Sequence, residues 1–322
     1  MINNIQALRA FAAINVVFLH VIKTASTYGQ STDYLSFLAG WGANGVDIFF
    51  VISGFVMLHT QMQKKRHTGA FLKSRIIRIV PIYWLITLFV VAVYYAVPGI
   101  FRSMELSGTI ILSSLLFSSL LVLGEPPIVY VGWTLEWEML FYFVFGLSLF
   151  LRSWVHVFLV VSLVLAGVSL ASGDFISLEF LFGMAVAYFY NKGFEIREKT
   201  GVLIFVFGML LLCVSLSSEL EVDPTNRVIV WGVPSFFIVF GLLFATQISN
   251  RFLVYLGDAS YSIYLVQILT IPAFYKVSSI VLRPVNGDVL SILCLISSVA
   301  AGCLVFSLIE KPMTKKMKRA FS

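Results

Sequence analysis

Charge is scarce in this 322-residue chain: Asp, Glu, Lys and Arg together make up 12% of it, against 59% apolar residues. Mean hydropathy is +0.96. A soluble domain carries about 25% charged residues, so this composition excludes one and indicates a polytopic helical membrane protein. Cysteine is also rare. The three present, Cys213, Cys294 and Cys303, lie in apolar stretches without metal-ligand spacing, which gives no metal site and leaves them as packing residues. No basic stripe interleaved with aromatics occurs, so nucleic acid is not an expected partner. Self-similarity between the halves is lacking too, unlike the repeats on which many transporters are built. Nor is a cleavable leader expected. Residues 5–22 are long, carry charges and lack a small-residue cleavage site, so they read as a retained span. Spans and short loops use up the chain, which reads as a single integral-membrane domain over 1–322 with no appended soluble domain.

What charge there is falls in a few loops. Lys64, Lys65, Arg66, Lys73, Arg75 and Arg78 stand between the second and third apolar segments, and Lys311, Lys315, Lys316, Lys318 and Arg319 form the tail. Basic loops are retained in the cytoplasm. Both regions, and the loop with Lys192, Arg197 and Lys199, therefore read as cytoplasmic, and the acidic stretch Glu219, Glu221 and Asp223 as outside. The formal net charge of +6 is thus an orientation signal. Eleven apolar segments can be found, but parity fails for eleven. Counting forward from a cytoplasmic N-terminus puts loop 98–105 outside, and counting back from the basic tail puts 124–131 outside as well. The segment between them, 107–123, has 17 residues with five serines, near the minimum length for a span. It is assigned as an interfacial or re-entrant helix. The expected fold is all-α, a polytopic transmembrane helical bundle of about ten spans plus that one helix, with both termini cytoplasmic.

The polar residues inside the spans then sort by depth. Arg9 and His20 lie in the first apolar segment, where a charge costs at least ~2.5 kcal/mol on insertion scales and marks a candidate functional position. They are eleven residues apart, about 16 Å and three turns of helix, so they share a face. Gly42, Gly45 and Asp47 open the second helix at the outer side, within reach of His20. Arg75 and Arg78, three apart on one face, start the third helix from the cytoplasm. Trp133, Glu136 and Glu138 open the next crossing from outside.

The stretches Leu8-Arg9-Ala10 with His20 eleven residues after the arginine, Gly45-Val-Asp-Ile-Phe-Phe-Val-Ile-Ser-Gly54, and Arg75-Ile-Ile-Arg78-Ile-Val-Pro81 resemble the acyltransferase-3 family of membrane O-acyltransferases. Trp133-Thr-Leu-Glu-Trp-Glu138 followed by Phe141-Tyr142 is similar to its Trp-Ser/Thr-Leu-x-x-Glu element. Glu179-Phe180 with Gly183, Leu256-Gly-Asp-Ala-Ser-Tyr-Ser-Ile-Tyr264-Leu, and Ile309-Glu-Lys-Pro312 resemble further family stretches. The ordered set covers nearly the whole chain and most resembles the branch that acetylates exopolysaccharides and O-antigens.

The resemblance implies transfer of an acyl group, usually acetyl, from cytoplasmic acyl-CoA to a hydroxyl of a polysaccharide or lipid-linked sugar at the outer face of a bacterial inner membrane. Acetyl-CoA or another short acyl-CoA is the donor, and no metal is required. His20 is the expected general base, since an alcohol needs its proton removed as it attacks a thioester; a covalent acyl-histidine relay stands beside direct transfer. Arg9, Arg75 and Arg78 are expected to bind acyl-CoA, the latter two gripping its phosphates with bidentate hydrogen bonds. Each also has a plainer reading as a headgroup or topology anchor. Asp47 and Glu138 either orient His20 or bind the acceptor sugar, against the plainer reading of hydrated helix ends. Many relatives carry a histidine where this chain has Gln267, which can hydrogen-bond but cannot act as a base. His59, His67 and His156 fall in or near cytoplasmic loops, leaving His20 as the base. Two other functions compete: a transporter or flippase for a polar lipid-linked intermediate, and a non-catalytic assembly subunit in which His20 is dispensable.

Overall fold

The computed structural model describes residues 2–97, 99, 106–217, 221–281 and 285–320, with backbone alone at 39, 216 and 217. Glu219 and, apart from Gly99, the loop 98–105 lie outside the described residues. The helices are α1 (Asn3–Thr27), α2 (Gly45–Gln63, led by a 3-10 stretch Ser36–Asn44), α3 (Thr68–Ala96), α4 (Gly108–Leu115), α5 (Trp133–Ser148) and α6 (Trp154–Ser172). They continue with α7 (Glu179–Asn191), α8 (Glu198–Ser217), α9 (Val233–Phe244), α10 (Arg251–Val281), α11 (Gly287–Val305) and α12 (Lys311–Ala320). No strand occurs among the described residues.

Seven helices among the described residues are long and apolar enough to cross a membrane. That is fewer than the ten crossings expected from hydropathy. The difference lies in short elements: Ile176–Asn191 and Val228–Phe244 are apolar but fall below a full span's length, and α5 has 16 residues. Segment 107–123 is not a continuous helix. It breaks after α4, where Phe117 takes a left-handed φ of 56°. A short π-helical turn, Ser119–Leu123, follows the break. Trp84 on α3 donates to the Leu115 carbonyl (2.8 Å), closing the end of α4. The carboxylate of Glu136 receives the amides of Leu120 (2.9 Å) and Leu121 (3.1 Å). Without them these amides would be orphaned at a helix start. Glu136 is thereby committed to holding the broken segment against α5.

Inter-loop hydrogen bonds sort the helix ends into two sets. At one end, the side chain of Asn4 donates to the carbonyls of Leu242 (2.8 Å) and Thr246 (3.1 Å) and accepts from the Ile248 amide (2.7 Å). Gln63 reaches Asn191 (2.9 Å) and Lys65 reaches the Leu151 carbonyl (2.9 Å). At the other end, the Phe175 amide donates to the Pro224 carbonyl (3.1 Å). Asp288 there accepts the amides of Tyr34 (3.1 Å) and Leu35 (3.2 Å). The basic loops at 64–66 and 192 belong to the first set, and the basic tail helix α12 packs on α3.

Burial separates inner from outer helices. Of their most apolar windows, 67% is buried for α1 and 78% for the α2 unit, against 22% for α6 and 17% for α8. A Cβ on Gly54 of α2 would collide with the Phe180 carbonyl of α7, and one on Gly183 of α7 with the Val51 carbonyl of α2. Two glycines facing opposite ways thus let these backbones touch, as small residues do in membrane helix pairs. That contact fixes the face on which α2 presents Ser53.

Candidate active site

Five helices converge on one cavity of about 110 Å³. Its polar lining is Arg9 from α1, Ser53 from α2, Arg75 and Arg78 from α3, Thr134, Glu138 and Tyr142 from α5, and Ser260, Tyr261 and Tyr264 from α10. The two α3 arginines lie deeper than their sequence position implied. The His67 side chain accepts the Ala70 amide (3.2 Å) and caps α3, so the helix begins at Thr68 and carries Arg75 and Arg78 some 10 and 15 Å in from its start at 1.5 Å per residue.

The charges in this cavity are unbalanced. Three guanidiniums face one carboxylate, and among the described residues none of the three has a carboxylate within 4.0 Å. Arg9 donates to the amide oxygen of Gln6 (3.1 Å). Arg75 lies over the rings of Phe71 (5.8 Å) and Tyr142 (5.9 Å). Glu138 is engaged elsewhere, accepting from Ser53 Oγ (3.0 Å) and from the Tyr142 hydroxyl. A partly buried set of cations without carboxylate partners is an anion site.

The structure brings together Arg9, Arg75, Arg78 and Glu138 and sets His20 and Asp47 apart from them. Tyr264 closes the cavity toward the second set of helix ends; its hydroxyl donates to the Val131 carbonyl (2.8 Å) and lies 2.9 Å from Thr134 Oγ1. One turn beyond, Gln267 Oε1 stands 3.0 Å from His20 Nδ1. Tyr130, one turn before Thr134, packs edge-on against the imidazole at 5.1 Å between centroids. His20 therefore sits about 5 Å outward of the cavity's end, by the rise of one turn.

Asp47 belongs to a third grouping. It is fully buried, and Arg227 binds it through Nε (3.0 Å) and Nη2 (2.8 Å) while Nη2 also donates to the Ala43 carbonyl (3.0 Å). The Arg227 guanidinium lies over Trp231 (4.9 Å) and Trp133 (5.8 Å). Glu179 is buried nearby against Gly232. The side chain expected either to orient His20 or to bind the acceptor sugar thus has an arginine as its partner. Reading the sequence missed Arg227 and Tyr130; a lone arginine opening the apolar run at 228–244 was the one visible signal.

The chain also matches known proteins. A family model described as an acyltransferase domain matches residues 2–308. The chain is 33% identical over 299 residues to the exopolysaccharide production protein ExoZ of Rhizobium meliloti (strain 1021), covering 85% of this chain and 90% of that protein. It is 27% identical over 286 residues, 82% of each chain, to a protein of Acidianus two-tailed virus whose name marks it as an unverified acetyltransferase. No solved structure matches.

Proposed function

The chain belongs to the acyltransferase-3 family, and from that premise we propose that it moves a short acyl group, acetyl first among them, from acyl-CoA to a hydroxyl of a cell-surface polysaccharide or its lipid-linked precursor. The observation that carries this reading is the cavity of three arginines with no carboxylate within 4.0 Å among the described residues, one turn inward of a histidine held by a hydrogen bond. The anionic nucleotide end of acyl-CoA is the ligand such a cavity suits. Guanidiniums bind phosphate with charge-assisted hydrogen bonds, and the extended arm of the donor would carry the thioester outward past Tyr264 to His20.

At His20 the acceptor hydroxyl gives its proton to the imidazole as its oxygen bonds to the thioester carbonyl carbon. The carbon–sulfur bond then breaks, and the imidazolium returns the proton to the departing thiolate. A positioned base contributes about 10²- to 10⁴-fold to such a step. Glu138, bonded to Ser53 and Tyr142, serves the donor cavity in this scheme. Asp47 and Arg227 shape the outer approach of the acceptor.

The same proposal includes ten crossings of a bacterial inner membrane with both termini cytoplasmic. The seven long helices are joined by α5, α7 and α9 as short spans. Support comes from the sorting of the loops: basic ones share one end, and the acidic turn at Asp223 shares the other. The test is transfer of labelled acetyl from acetyl-CoA into alkali-labile ester on glycan, in membranes with wild type or His20→Ala at equal protein level. Label lost in the variant is the expected result. Equal label in both removes His20 as the base, and no label with either overturns acetyl-CoA as donor.

A further inference from the structure

We propose that Gln267 is a positioning residue that fixes the tautomer of His20, an inference resting on the reading of His20 as the base. Gln267 is fully buried on α10. Its Nε2 donates to the Tyr264 carbonyl at 2.7 Å. A carbonyl only accepts, so this bond decides which end of the amide is which. Turning the amide over would set two oxygens against each other.

With the amide so fixed, its Oε1 faces His20 Nδ1 at 3.0 Å. That oxygen also only accepts, so Nδ1 carries the hydrogen. Neutral imidazole has one N–H; the lone pair is therefore on Nε2, the nitrogen left to take the acceptor's proton. The support is itself anchored, because the hydroxyl of Tyr264 is tied to the Val131 carbonyl across the start of α5. The arrangement does the job of the orienting group in a hydrolytic triad, with one difference. An amide holds the tautomer without adding negative charge, so the imidazolium formed in the reaction surrenders its proton readily to the thiolate.

Among the described residues no carboxylate duplicates this role; the Val16 carbonyl, one turn back on α1, also accepts from the ring. The charged and titratable groups facing the ring are Lys23, three residues on along α1, and the phenol of Tyr130. Carboxylates on the helices packed against α1 are engaged elsewhere: Asp47 of α2 by Arg227, Asp258 of α10 by Gln6, and Asp288 of α11 by the amides of Tyr34 and Leu35.

The experiment measures acetyl transfer by purified protein in lipid nanodiscs, with kcat, KM for acetyl-CoA and a rate–pH profile for wild type, Gln267→Ala, Gln267→Glu and His20→Ala. Gln267→Ala is expected to lose on the order of 10² in kcat, the lower end of what a positioned base contributes, with KM for acetyl-CoA within about twofold because the arginine cavity is untouched. Gln267→Glu nearly preserves shape but sets a carboxylate against Nδ1. It stabilises the imidazolium, and the acid limb of the profile is expected to move up by about one pH unit or more. A residue that only packs would not move that limb. Wild-type kcat in Gln267→Ala, or a Gln267→Glu profile that superimposes on wild type, overturns the proposal while an inactive His20→Ala leaves the base in place. An active His20→Ala removes both readings together.

Discussion

Arg227 and Arg78 stand inside the same helical bundle and are held in opposite ways. Arg227 has a buried carboxylate bound through two nitrogens, a backbone carbonyl and two tryptophan faces. Arg78 shares a cavity with Arg9 and Arg75, and among the described residues no carboxylate lies within ion-pairing distance of any of them. A partly buried charge without an ion-pair partner is costly to hold, so it persists where something other than the fold repays it. The paired arginine reads as structure. The unpaired three read as a place kept for an anion.

Breaking the paired side should have the largest effect. Arg227→Ala strips the fully buried Asp47 carboxylate of its partner, with an expected loss of about 3–5 kcal/mol. For a chain of this size that is a fall on the order of 10 °C in the thermal midpoint, read by unfolding in detergent. The double change Asp47→Leu with Arg227→Met should regain most of it, since apolar replacement of a buried pair is often neutral. An unaltered midpoint in Arg227→Ala would put the pair in the same class as the open cavity.

Arg78→Ala should do the reverse. One charge-assisted hydrogen bond lost is worth about 1.5–3 kcal/mol, so the KM for acetyl-CoA should rise roughly 10- to 100-fold, measured by titration of the donor. The thermal midpoint should hold or rise slightly, because a cation repelled by two neighbours has gone. A smaller step is Arg75→Lys, which keeps the charge and loses the planar fork; a rise in KM of about fivefold, roughly 1 kcal/mol at 1.4 kcal/mol per decade, is expected. Smallest is the response to salt. Raising ionic strength from about 0.1 to about 0.5 M should weaken donor binding about twofold, as partly exposed charges are screened, while the midpoint set by the Arg227–Asp47 pair stays put.

Some of this contrast is legible in the amino-acid sequence. Arg75 and Arg78 recur at the spacing of one helix face, and helix periodicity is local, so their convergence on one side of α3 follows from the chain alone. Arg9 and His20 likewise share α1, and their separation in depth follows from rise per residue. Glu136 and Glu138 look alike in sequence, two residues apart on the same helix. The first caps the broken segment after α4 and the second lines the arginine cavity, because two residues are about 200° of rotation and point to different neighbours. The span count suffers from a related problem. Hydropathy registers apolar stretches and not where a helix begins and ends, and α5, α7 and α9 prove shorter than a full span although each packs within the bundle.

By itself the sequence determined the membrane class, the helical fold and the residues costly enough in hydrocarbon to demand a reason. Composition and helical period are properties of short stretches, and they survive without knowledge of neighbours. Partnership was decided by the tertiary structure. His20 meets Gln267 across 247 positions and Asp47 meets Arg227 across 180, while among the described residues three equally charged arginines have no carboxylate within 4.0 Å. Which polar group satisfies which depends on the order in which helices pack. In a medium without water to fill the gaps, that choice separates a structural charge from one held open for a ligand.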